Sequence, residues 1–153
     1  MPFVTASGFF VPTMIDILDV TQLAVDFDLE THRAALFTNS LAATDLVTNT
    51  AYGVAPYNAN EVPNATGYTT GGELLTGTTY VAGVAGASTF DATDTAWVTS
   101  TFSAVRGVVL YADALAGNNG LLAITFGADF AVTVGTFTIQ WNASGIFTID
   151  WIP

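Results

Sequence analysis

A chain of 153 residues is long enough to bury one real core and too short for two ordinary domains. Only 10% of it is charged, against roughly 25% in an average globular protein, and the formal net charge is −11 with Arg33 and Arg106 as the sole basic side chains. That balance argues against binding to nucleic acid or to an anionic membrane, since both need Lys and Arg against phosphate, and the lack of cysteine removes disulfides, thiolate catalysis and cysteine-ligated metals.

Residues 1–153 read as a single β domain, with 1–12 as an N-terminal arm and 40–72 as a long irregular connection. Phe3 to Val11 is apolar and β-prone; Pro12 ends that run, and Thr13 is placed to cap a short amphipathic helix over Met14 to Leu23. The N-terminus has no basic region before Asp16 and Asp19, so it makes a poor secretory signal, and no apolar run reaches the roughly 18 residues of a membrane helix. These features predict a protein made in the cytoplasm. The acidic stretch Asp26 to Glu30 suits a strand or an extended link, and a strand is expected from His32 to Thr38.

Between Ser40 and Gly72 the chain is rich in Asn, Thr, Ala, Pro and Gly, with one helical turn expected near Asp45 to Tyr52. Long loops within compact domains are often functional, which makes this segment a candidate binding surface. From Glu73 on, strands are predicted over 73–79, 80–90, 96–102, 105–111, 121–126, 130–134, 136–141 and 146–151, with breaks at Asp91, Asp113, 117–120, Gly127, Gly135 and 142–145. Thr136 to Trp141 and Ile146 to Trp151 alternate polar with apolar around Asn142-Ala143-Ser144-Gly145, the pattern of a hairpin. The fold class is therefore mainly β, an antiparallel sandwich or barrel-like structure with one short N-terminal helix.

Catalytic equipment is sparse. His32 is the sole histidine, and its expected place is a strand edge or a loop. Asp91 with Asp94, or Asp26 with Asp28 and Glu30, are the carboxylate sets that a glycosidase or a calcium loop would use, but Asp91 and Asp94 stand where turn-forming aspartates bond backbone N–H groups. Trp97, Trp141 and Trp151 are expected in the core, and the sequons at Asn64 and Asn142 carry no weight without a secretory context. The chain is read as a non-enzyme without cofactor or metal. Its low charge and high apolar content point to surface covered by a partner.

Three blocks bear a resemblance. They are Asn60-Glu61-Val62 followed by Gly67-Tyr68-Thr69-Thr70-Gly71-Gly72, then Phe90-Asp91-Ala92-Thr93-Asp94-Thr95-Ala96-Trp97, and Gly135-Thr136-Phe137-Thr138-Ile139-Gln140-Trp141. In this order they resemble a family of small tailed-bacteriophage virion proteins across nearly the whole chain, with Met1 to Val11 as a departure from the family's pattern. The resemblance implies a virion structural protein, foremost a capsid decoration (cement) protein whose partners are the major capsid protein and copies of itself, assembled in the host cytoplasm. The alternative is a tail, neck or fibre component that stacks host glycan on Trp97, Tyr57, Tyr68 or Trp151. Phe3, Phe9, Phe10, Tyr52, Tyr57 and Tyr68 are the expected partner contacts.

Overall fold

The computed structural model describes residues 7–18, 23–29, 31–55 and 57–152, with Tyr57 described by its backbone alone. Phe3 and Glu30 lie outside the described residues. The elements run β1 (Gly8–Phe9), α1 (Val11–Leu18), β2 (His32–Phe37), α2 (Ala43–Thr48), β3 (Glu73–Leu74), β4 (Thr79–Ala82), β5 (Ala87–Asp91), β6 (Thr95–Ala112), β7 (Asn119–Ile139) and β8 (Phe147–Asp150), with 3-10 turns at Tyr57–Asn60 and Val84–Gly86. One antiparallel sheet has the order β1-β7-β6-β2-β3 and a second the order β4-β5-β8. The mainly β, antiparallel, sandwich-like class expected from the sequence is the class observed, short N-terminal helix included.

The larger sheet is buried on both faces where β2, the second half of β6 and the start of β7 meet, which explains why those stretches are apolar without alternation. Ala34, Leu36, Val108 and Leu110 point into one core, and Ala35, Phe37, Val109 and Tyr111 into the other. The smaller sheet covers the first face. Its Phe90 meets the His32 ring edge-on with centroids 5.9 Å apart, and Phe147 meets Phe9 at 4.9 Å and 85°. The second face is closed by Phe10, Leu41 and Leu46, with Tyr52 and Val54 packed against them. The 40–72 connection is therefore largely a cover for the sheet: Leu41, Leu46, Val62 and Tyr68 are all buried.

Several boundaries differ from expectation. Helix α1 begins at Val11, with Pro12 in its first turn, where a missing N–H breaks no intrahelical bond; it is described to Leu18, and residues 19–22 of the expected helix lie outside the described residues. Thr13 is thus inside the helix and fully buried, and caps nothing. Asp26 to Leu29 is a turn in place of a strand, with the Asp26 carboxylate accepting the N–H groups of Asp28 and Leu29 at 3.3 and 3.2 Å. The strand expected over 73–79 shrinks to β3, and the one over 80–90 splits into a β4-β5 hairpin around Val84–Gly86.

Two long strands replace five of the predicted short ones. Gly127 and Gly135 lie inside β7, where the β6-β7 register shifts repeatedly between Trp97 and Tyr111 on the β6 side. Glycine with φ +75° at 127, together with Thr99 (+53°), Ala104 (+60°) and Val134 (+47°), marks bulges that bend the ribbon without ending it. The C-terminal hairpin does not form. Asn142 to Gly145 is a turn, closed by Gly145 N–H to the Asn142 carbonyl at 2.8 Å, but it carries the chain from one sheet to the other. β7 pairs with β6, and β8 pairs with β5.

Candidate interaction surface

The carboxylates weighed for catalysis serve the backbone. Asp91 accepts the Ala92 N–H at 2.9 Å, and Asp94 accepts the Trp141 N–H at 2.9 Å, which ties the end of β7 to the start of β6. His32 sits within a central strand and is fully buried, so the edge or loop position expected for it does not hold. Its Nε2 donates to the Asp26 carbonyl at 3.0 Å, and its ring packs on Phe27 and Phe90. Among the described residues, no three His, Asp or Glu side chains converge as metal ligands would.

The first resemblance block is a folding clamp. Glu61, 8% exposed, accepts hydrogen bonds from the Tyr68 hydroxyl at 2.6 Å, from the Gly71 N–H at 2.7 Å and from the Tyr52 hydroxyl. Tyr52 stacks flat on Tyr111 at 4.1 Å, and Tyr111 donates to the Gly71 carbonyl at 2.8 Å. The Leu36 N–H donates to the Tyr68 hydroxyl at 2.9 Å, and Arg33 donates to the Gly72 carbonyl at 2.9 Å. Burial first, and then the Glu61 carboxylate, hold the Tyr52 and Tyr68 hydroxyls well above the usual tyrosine range; burial pushes Tyr111 up to about 12. The other blocks also serve the fold: Phe90 and Trp97 are core, and the Trp141 indole donates to the Thr95 hydroxyl at 3.2 Å.

The expected contact residues divide accordingly. Phe10 is fully buried and Tyr68 is 3% exposed, so neither can face a partner; both come from irregular segments that supply core. Tyr52 is half-buried and held by Glu61 and Tyr111. Phe9 is half-buried in β1 and stays near the surface beside α1, while Phe3 and the Tyr57 side chain fall outside the described residues. Glycan stacking on Trp97 and Tyr68 is ruled out by their burial, whereas Trp151 is 57% exposed.

One contiguous stretch of exposed apolar surface lies on α1. Val11, Ile15 and Leu18, spaced i, i+4 and i+7, form one outward stripe, while the polar Thr13 is turned inward. This reverses the usual amphipathic arrangement. With Phe9 and Met14 the stripe lines a groove of about 390 Å³. Leu18 and Met14 also line a cleft of about 590 Å³ whose walls include Ile17, Val25, Phe27, Ile149 and Trp151. Asp26 and Asp28 also line this cleft; the hydrogen bond between their carboxyls lowers the first and raises the second relative to an ordinary aspartate. No protein-family model, curated protein or solved structure matches this chain.

Proposed function

We propose that this chain is a structural protein of a tailed-bacteriophage particle, a decoration protein that cements the head by docking on major capsid subunits. The observation that carries this reading is the outward apolar stripe of α1, which lines one apolar groove and adjoins a second cleft. Burying such a surface releases about 25 cal/mol per Å², and a ligand that binds only the assembled shell stabilises it by mass action. Both arginines are already ion-paired, Arg33 with Asp113 and Arg106 with Asp129. The carboxylates at the cleft therefore suit a basic rim on the partner. The resemblance of the three blocks to phage virion proteins supports the same assignment. Trp151, exposed in a cleft that also holds two carboxylates, keeps a tail, neck or fibre component binding glycan as the second reading.

The double variant Ile15→Asp and Leu18→Asp tests the docking face. These side chains are 55% and 70% exposed, so the chain should fold with nearly unchanged melting temperature. Its incorporation into particles should fall at least about tenfold, since two carboxylates would have to be buried without partners. Incorporation equal to that of the unmodified chain removes α1 from the interface.

A further inference from the structure

Among the described residues, the β6-β7 ribbon is held along its β6 edge and is open along most of its β7 edge. On the β6 side, Thr66 bridges to Thr101, and the Ser100 hydroxyl donates to the Gly67 carbonyl. On the β7 side, β1 pairs at Leu122 and Ala123, the Thr125 N–H donates to the Ser7 hydroxyl at 3.2 Å, and Ala51 bridges to Asn119. Among the described residues, no strand pairs with the outer edge of β7 from Phe126 to Ile139. Those fourteen residues extend roughly 46 Å at about 3.3 Å per residue. The other free edges are short, and β3 carries the charged Glu73. A long edge without lysine or proline is a template for pairing.

Charge selects the occupant. Each copy carries a formal −11, so two copies repel wherever acidic surface meets acidic surface. β7 holds a single charged residue, Asp129, and Arg106 neutralises it at 3.2 Å. This edge is the neutral strip on which like-charged copies can approach, and a basic partner gains nothing there. Phe130 and Val134, 46% and 79% exposed, stand on the same stretch.

We infer that two copies of this chain associate by antiparallel β7-β7 pairing along this outer edge, about a twofold axis near Val132. About that axis Phe130 of each copy comes near Val134 of the other, and Asp129 comes near Gly135, so no carboxylate faces another. The pairing runs on either side of the bulge at Val134, whose N–H is already given to the Thr101 hydroxyl. The contact is isologous and continues the five-stranded sheet across the axis. It goes beyond the proposed docking on capsid subunits and is independent of it.

The test uses the isolated full chain, so that its failure bears on this edge alone. Sedimentation equilibrium should give twice the 15.9 kDa chain mass across the micromolar range. Phe130→Glu with Val134→Glu, which opposes carboxylates across the axis, should raise the dimer dissociation constant at least about tenfold. Because the chain has no cysteine, Val132→Cys should form a disulfide-linked dimer on mild oxidation, and Val84→Cys, exposed but far from β7, should not. The cysteine pair decides the matter if the glutamate variant fails to fold. A monomer throughout, a trimer, a dimer indifferent to the glutamates, or equal cross-linking at Val132→Cys and Val84→Cys overturns the pairing.

Discussion

Gly72→Ala is expected to destabilise the fold by about 3 kcal/mol or more, the sum of a left-handed backbone penalty and overpacking in a site that cannot relax. Gly72 has φ +68°, and a Cβ there would lie 1.9 Å from the carbonyl oxygen of Ala34 and 2.6 Å from the Ala35 Cα. Both are main-chain atoms of the central strand β2, so nothing flexible can swing aside. The companion variant Gly53→Ala meets nothing within 4 Å and should change stability by less than about 0.5 kcal/mol. Urea midpoints of the two variants measure the difference; equal midpoints would show that the 71–72 turn is not seated on β2 as described.

Glu61→Ala is the second large effect, about 2–4 kcal/mol. It would leave the Gly71 N–H and the Tyr52 hydroxyl without their acceptor and would loosen the turn that Gly71 and Gly72 make against β2 and Tyr111. Glu61→Gln should cost less, because it keeps the shape and one acceptor oxygen. The same cluster predicts loss of stability in alkali. In the unfolded chain the tyrosines ionise near pH 10, whereas in the folded chain Tyr52, Tyr68 and Tyr111 hold their protons to higher pH, Tyr111 to about 12. Above pH 10 the unfolded state therefore binds fewer protons than the native one, so stability is complete below that pH and declines as pH rises from 10 toward 12. Melting temperatures across that range that stay level would contradict the burial of these hydroxyls.

The strand-rich character was legible because Thr, Val, Phe and Trp recur in short runs between turn residues, and β2 was read to within one residue at its C-terminal end. Partnership was not legible. Alternation in Thr136 to Trp141 and Ile146 to Trp151 reports which side chains share a face, and it is silent on which strand lies alongside; the four-residue turn between them hands the chain to another sheet. Gly127 and Gly135 look like turn residues in sequence, yet in an 18- and 21-residue strand pair they sit among bulges. Phe10 was read as part of a β-prone contact arm and Tyr68 as part of a binding loop, and both are core because the sheet needs a cover from somewhere. The outward stripe of α1 was half visible: the helical spacing of Met14, Ile15 and Leu18 was apparent, but the sequence did not show that polar Thr13 would turn inward and leave the apolar stripe outside.

These contrasts separate two kinds of information in the three resemblance blocks. Glu61, Tyr68, Gly71 and Gly72 clamp a cover onto the sheet, Asp94 and Trp97 anchor the start of β6, and Trp141 closes the end of β7. Such residues specify a scaffold. The surfaces proposed for assembly, α1 and the outer edge of β7, lie mostly outside the blocks, so chains with one scaffold can differ in what they dock on.

If the chain is a phage virion protein as proposed, the most direct measurement is its copy number and position in purified particles, by quantitative gel densitometry followed by electron microscopy. The account predicts many copies arrayed over the head, with α1 turned toward the shell, and particles lacking the chain that rupture at lower temperature. A few copies confined to a vertex or the tail, or none in the particle, would contradict it.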